Sequence, residues 1–319
     1  MARVIGQIYK SLNSKNRIKY GRDVIKENRQ IYLLMLPSIL LIFIFCYIPM
    51  YGLVISFQDY VPGSSFLGAD VEWVGFKWFI KFVTGPYFIR IIKNTLVLSG
   101  LNLIFGFSAP IAFALLLDQI HHHRYKKFVQ TASYMPYFVS MVVVAGMVIS
   151  FLDVDGMITN FLKALGFEAQ NYLVMTSAFP WIYTITNIWK GFGFGSILYC
   201  SIISSIDPGL YESAKMDGAN RWKQVWHITL PGIRSVIAIN LIMMVGSVLS
   251  TNTELVLLLY SPATYNVSDV IGTYTYRLGI LDGQFSYSAA AGLFTSIIGF
   301  SLTFAANKIS NKMTGFGLW

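Results

Sequence analysis

Six long apolar blocks alternate with short polar, basic or Gly/Pro-bearing connections, at about 31–57, 91–117, 128–152, 177–205, 233–254 and 287–309. The first runs for 27 residues, roughly 40 Å of helix at ~1.5 Å per residue. The hydrocarbon core of a bilayer is only ~30 Å thick, so this block must tilt or protrude. Backbone in lipid has to satisfy its own hydrogen bonds, and unbroken apolar runs of this length do so as helices. The alternating ten-residue pattern of a membrane β-barrel is absent. The pattern predicts an all-α polytopic membrane protein with six transmembrane helices.

Composition agrees. Of 319 residues, 55% are hydrophobic and 12% charged, against roughly 25% charged in an average soluble domain. Such a chain could not cover a soluble surface, which excludes a soluble enzyme, a disordered chain and a disulfide scaffold. Cys46 and Cys200 both lie inside apolar blocks and read as reduced packing residues. A net charge of +9 would suggest nucleic acid in a soluble protein. Here its placement matters more, and no nucleic-acid partner is expected.

Segments 1–30, 118–127, 206–234 and the C-terminal end at 308–319 hold eight, three, four and two of the Lys and Arg residues, seventeen in all. The three segments on the other side hold six, and Lys190 lies inside block four. This asymmetry predicts both termini in the cytoplasm. It divides the chain into a basic cytoplasmic segment at 1–30, a six-helix membrane domain at 31–309 and a cytoplasmic tail at 310–319. The first block is too long for a signal-peptide core and no small-residue cleavage site follows, so it reads as an uncleaved span. Val4, Ile5, Ile8 and Leu12 share one helical face. Residues 2–13 therefore read either as a helix lying on the inner leaflet or as a basic tail.

The connection at 207–231 carries the most information. Asp207 can cap a helix with Pro208 in its first turn, and Gly218 suits the left-handed residue that closes it. Asn220 can cap a second helix, and Pro231 is expected to break the chain before the fifth span. Tyr211, Trp222, Val225, Trp226 and Ile228 give a cytoplasmic loop more apolar area than it needs, which points to a protein partner.

Glu212, Ser213, Ala214 and Gly218, then nine residues, then Ile228, Leu230 and Pro231 resemble the E-A-A-x-x-x-G-(nine residues)-I-x-L-P signature of ABC-importer permease subunits. Ser213 stands where that signature usually has Ala. "LLMLPSILLIFIFCYIPMYGLVISFQDY" (33–60), "YMPYFVSMVVVAGM" (134–147), "SDVIGTYTYRLG" (268–279) and the closing Leu318-Trp319 resemble the carbohydrate-uptake branch, and within it the permeases for complex oligosaccharides related to those of maltose importers. The resemblance implies a type I ABC importer permease fold in a bacterial cytoplasmic membrane. It implies a second, different permease, two cytoplasmic ATPase subunits, an external sugar-binding protein and import of an oligosaccharide. The 207–231 loop would sit in a cleft of an ATPase subunit, with Glu212 and Asp217 paired to it and Gly218 allowing the turn into the socket.

The chain itself has no phosphate loop. Gly63 and Gly68 have the glycine spacing, but Ala69 and Asp70 follow in place of Lys and Ser/Thr. No catalytic acid/base pair, triad or metal cluster stands out, so ATP and its Mg are expected on the partner ATPase and no cofactor in this chain. His121-His122-His123 point to different faces of a helix, which is poor ligand geometry. "NVS" at 266–268 resembles a glycosylation acceptor, and would be incidental in the bacterial importer that the resemblance implies. "VEWVGFKWFIKF" (71–82) reads as an outer amphipathic helix anchored by Trp73 and Trp78.

Polar groups inside the spans are the remaining signal. A charge at mid-bilayer costs about 2.5–3.5 kcal/mol on insertion scales. That makes Asn187, Trp189 and Lys190 in block four, with Asn252 and Glu254 where block five breaks, candidates for the sugar pathway. The alternative is a contact of Lys190 with Glu254 or with backbone carbonyls between helices, or with the second permease. Two rival classes lack support. An ion-coupled secondary transporter predicts inverted repeats and leaves 207–231 unexplained, and a membrane enzyme needs a catalytic constellation.

Overall fold

The computed structural model describes residues 28–68, 71–168 and 170–319. The amphipathic stretch at 2–13 and nearly all of the basic segment lie outside them. The described chain is helical, with no strand and one isolated antiparallel bridge, Gln58 to Trp73. Five stretches are long and apolar enough to cross a membrane: α1 (Arg29–Phe57), α3 (Phe88–Asp118), Met141–Ala164, α9 (Arg221–Gly246) and α13 (Phe285–Thr314). The fourth expected span is a 25-residue helix, α7 (Phe179–Ile203). It falls outside those five because Thr184, Thr186, Asn187 and Lys190 interrupt its apolar run. Shorter helices join them: α2 (Lys77–Val83), α4 (His123–Tyr134), α8 (Pro208–Met216), α10 (Thr253–Leu259), α11 (Tyr265–Ser268) and α12 (Ile271–Tyr276).

Two span boundaries differ from the sequence expectation. The stretch 128–152 is not one helix. It divides into α4, a 3-10 turn at Met135–Phe138 and α5 (Met141–Leu152), with α6 (Met157–Ala164) following. Val139 and Ser140 are extended, and the Ser140 hydroxyl accepts from the Val143 N–H to open α5. The fifth span begins earlier and ends earlier than expected. Pro231 does not break it.

A wide i→i+5 turn at Val225–Thr229 closes with Leu230 N–H on the Val225 carbonyl, immediately before Pro231. Proline lacks a donor and its ring collides with the carbonyl four residues back. Widening the turn removes that collision and lets the helix run on. The same device precedes Pro49 in α1, where Ile48 N–H bonds the Phe43 carbonyl.

α7 lies at the centre, along α3 and against α4, the 135–138 turn and α9. Three buried apolar clusters hold the bundle. One joins α3, α5, α7 and α10 through Leu98, Ala145, Tyr183 and Leu255. A second joins α2, α3, α12 and α13 through Phe82, Ile91, Tyr274 and Tyr287. A third packs Ala114, Tyr199, Ile203 and Ile233 near the 207–231 connection. α1 is covered by the rest of the chain only near its end, where Ser56 is buried.

Candidate functional sites: the 207–231 element and polar groups within the bundle

The 207–231 element is built from local caps. Asp207 Oδ1 accepts from the Gly209 N–H at 2.9 Å, with Pro208 in the first turn of α8. Gly218 closes α8 at φ +77°. Gly218 N–H bonds the Lys215 carbonyl at 3.0 Å and Ala219 N–H the Ala214 carbonyl at 2.8 Å, the six-to-one closure that a left-handed residue permits. Asn220 Oδ1 accepts from the Lys223 N–H at 2.9 Å and opens the next helix. The expected caps are therefore the observed ones, and the second helix continues as α9.

Tyr211 ties the two arms together through its hydroxyl on Thr229 Oγ1 at 3.0 Å. Burial pushes that phenol above its ordinary value and the Thr229 bond pulls it back down. With this bracket holding the inner side, the outer side is left uncovered. Glu212, Ser213, Asp217 and Gly218 are exposed, as are Met216 (89%), Trp222 (69%) and Trp226 (63%). Ala214 and Ile228 are half-buried, Leu230 packs on the third cluster, and Pro231 is exposed. Exposed carboxylates and small residues thus mark α8 and its closing turn, while Trp222 and Trp226 line a hollow with Ile111 and Leu115 of α3.

The membrane candidates separate into two groups. Asn187 and Asn252 meet, with Asn252 Nδ2 donating to Asn187 Oδ1 at 3.0 Å. Asn252 N–H also bonds the Tyr183 hydroxyl at 2.9 Å, and Asn252 Oδ1 caps α10 through the Leu255 N–H. Lys190 goes elsewhere. Its ammonium donates to the carbonyls of Tyr137 (2.9 Å), Val139 and Pro136 (3.5 Å).

The Pro136 carbonyl also accepts from the Val139 N–H, whereas those of Tyr137 and Val139 lie where the chain breaks between α4 and α5, and free carbonyls at membrane depth need a donor. Lys190 supplies it. Of the two alternatives to a pathway role, the carbonyl contact is the one observed; Glu254 is exposed, and no ion pair reaches it among the described residues. Trp189 faces an apolar hollow of about 420 Å³ with Val144, Met147 and Phe151. His122 caps α4 through the Tyr125 N–H, and no metal-holding group of His, Cys, Asp or Glu occurs among the described residues.

Sequence reasoning missed one cluster. Asp269 is fully buried, and its Oδ2 accepts from Arg277 at 2.8 Å and from Arg90 at 3.4 Å. Asn94 Nδ2 bonds the Asp269 carbonyl at 3.0 Å, and Ile271 N–H bonds Thr95 Oγ1 at 3.0 Å. Asp269 occurs in the resembled stretch 268–279, but nothing local marks a partner 179 residues away.

Comparison with known proteins places this geometry. Residues 106–315 match the family model described as binding-protein-dependent transport system inner membrane component. The chain is 42% identical over 294 residues to the polygalacturonan/rhamnogalacturonan transport system permease protein YteP of Bacillus subtilis (strain 168), covering 92% of this chain and 91% of that one. It is 40% identical over 296 residues to Protein LplB of the same organism, covering 92% of each. A chain in the crystal structure of a bacterial alginate ABC transporter, in complex with its alginate pentasaccharide-bound periplasmic protein, superposes with a TM-score of 0.84. It is 40% identical, over 93% of this chain and 99% of that one. A second structure, of a bacterial ABC transporter that imports the acidic polysaccharide alginate, gives 0.83 at 41% identity. This chain belongs to the family of binding-protein-dependent transport system inner membrane components.

Proposed function

We propose that the chain is the permease subunit of an ATP-driven importer that carries acidic oligosaccharides across the bacterial cytoplasmic membrane. It pairs with a second, different permease, and an external binding protein delivers the sugar. Two cytoplasmic ATPase subunits hydrolyse ATP with Mg, and this chain carries no cofactor. The substrate class follows the relatives, one named for polygalacturonan and rhamnogalacturonan and another for alginate.

The observation that carries the reading is the open surface of α8 and the start of α9. Its shape comes from Asp207, Gly218 and Asn220, and its outer side is uncovered in an otherwise membrane-embedded chain. Glu212, Ser213, Ala214, Asp217 and Gly218 form the part that enters an ATPase cleft, while Ile228, Leu230 and Pro231 join it to the membrane. A partner that grips this element moves α9 with it. Within the bundle, Asn187, Trp189, Asn252 and Glu254 remain candidates for the sugar path, and Lys190 holds the turn before α5.

The test is ATP-dependent uptake by the reconstituted complex. Gly218→Asp forces a Cβ into a left-handed position, at a cost of about 1–2 kcal/mol, and adds a carboxylate to the docking surface. The variant is expected to assemble in the membrane and lose most transport. Normal transport by this variant would refute the docking assignment. The proposed topology has six spans with both termini inside. It predicts that cysteines at Lys126, Lys215 and Lys312 resist an impermeant maleimide in intact cells while those at Lys77 and Lys163 react. External labelling at 215 would overturn it.

A further inference from the structure

Two guanidinium groups converge on the single buried carboxylate of Asp269. Arg277 approaches Oδ2 at 2.8 Å and Arg90 at 3.4 Å, while Oδ1 accepts from Thr273 Oγ1 at 2.8 Å. Two positive charges against one negative leave a surplus of one. No other carboxylate pairs with either arginine among the described residues. Arg90 Nε and Arg277 Nη1 are buried and have no hydrogen-bond partner. An unmet donor on a charged group is among the costlier defects a fold can carry. The pair is therefore jointly cationic, with its surplus charge unpaired by any carboxylate among the described residues.

The surroundings narrow which anion would offset that surplus. Tyr87 lies under the Arg90 guanidinium at 4.7 Å, and Tyr265 and Tyr274 flank that of Arg277 at 5.3 and 5.8 Å. Tyr260 stands against Tyr265 at 5.0 Å. Both arginine side chains remain partly open, at 31% and 25% exposure, so a solute can reach the open part of each, though not the buried Arg90 Nε and Arg277 Nη1. The cluster sits at the start of α3, the end away from Asp118 and the docking element. The planar fork of arginine matches a carboxylate. The surplus of one charge matches a monoanion better than a phosphate. Rings beside it suit the faces of a pyranose.

We propose that Arg90 and Arg277 form a carboxylate subsite that receives one uronate residue of the oligosaccharide as it enters from the binding protein. The proposal rests on the importer reading above and adds to it the group recognised and the residues that recognise it. Asp269 is a positioning residue, holding the two forks at one point while leaving them jointly cationic.

The experiment measures uptake of labelled trigalacturonate by the complete complex in proteoliposomes, with its binding protein, for wild type, Arg277→Gln, Arg277→Lys and Arg90→Gln. Capture of the binding protein and the thermal midpoint are measured on the same preparations. Asp269 keeps one arginine in each variant, so the fold is expected to survive. Losing a charge-assisted bond predicts a fall in uptake of about tenfold or more for each Gln variant. Arg277→Lys should retain more uptake than Arg277→Gln, with binding-protein capture and midpoint near wild type.

Unchanged uptake in both Gln variants overturns the subsite. So does a loss matched by lost capture of the binding protein, which would make the pair a protein-docking surface. A lowered midpoint with Lys no better than Gln would make it purely structural and also overturn the subsite. Failure of wild type to import any oligosaccharide would instead sink the importer reading itself.

Discussion

α1 and α7 reverse the rule that apolar residues go inside. α1 is the most apolar of the candidate spans, and its residues 29–51 are all uncovered by the rest of the chain. α7 carries Thr184, Thr186, Asn187, Lys190 and Ser196, and it lies at the centre of the bundle. Lipid tails are as apolar as leucine, so transferring leucine from lipid to protein gains little. What draws helices together in a membrane is close packing of small residues and satisfaction of polar ones. α7 offers both. Gly193 lets its backbone meet the α4 end, and Phe194 stacks on Tyr137 at 3.9 Å.

The sharpest break would come from glycine. A Cβ on Gly193 would stand 2.0 Å from the Ser133 carbonyl oxygen, whereas one on Gly52 in α1 meets nothing within 4 Å. Gly193→Val is expected to abolish the folded subunit, a cost above the 1–3 kcal/mol usual for overpacking because backbone would have to move. Gly52→Val should leave the detergent melting midpoint unchanged. Equal shifts would end the contrast.

Charge tests the other side. Leu40 is 48% exposed in α1, and Leu40→Lys should cost about 2.5–3.5 kcal/mol of insertion, read as membrane yield. Full yield would mean that this face of α1 meets water. Removing a charge from α7 should be less damaging but still visible. Lys190→Met leaves the Tyr137 and Val139 carbonyls without their donor, at about 1–3 kcal/mol in thermal stability. Adding Glu254→Gln should change nothing further, since the two side chains do not pair. Recovery in the double variant would restore the ion pair as an explanation. The smallest effect belongs to Thr186→Val, which removes a hydroxyl bonded to the Ile182 carbonyl at 2.7 Å. About 0.5–1.5 kcal/mol is expected by the same melting assay.

What could be read from the sequence was local. Asp207, Gly218 and Asn220 act on neighbours within a few positions, so the caps of the 207–231 element followed from residue types alone. The long spans followed from length and hydropathy, which need no partner. The turn that accommodates Pro231 was not legible, because a widened turn leaves no mark in composition. Lys190 was legible as an anomaly, but its acceptors lie more than fifty positions earlier. They become acceptors only because the chain breaks before α5. The Arg90–Asp269–Arg277 cluster was hidden for the same reason. Arginine at the edge of a span reads as interfacial until the fold brings a carboxylate to it.

The widened turn before Pro231 also has a mechanical side. Because it keeps α9 continuous, the 26 residues of Arg221–Gly246 form a strut about 39 Å long at ~1.5 Å per residue. A strut does not absorb a thrust applied at Arg221. It delivers the thrust to Ser247–Asn252, the first non-helical stretch it meets. There Asn252 is latched to Asn187 and Tyr183 of α7. Had proline broken the helix at 231, a push at Arg221 would not have travelled along α9. As built, the compliance lies at the far end of the rod, beside the polar centre of the bundle.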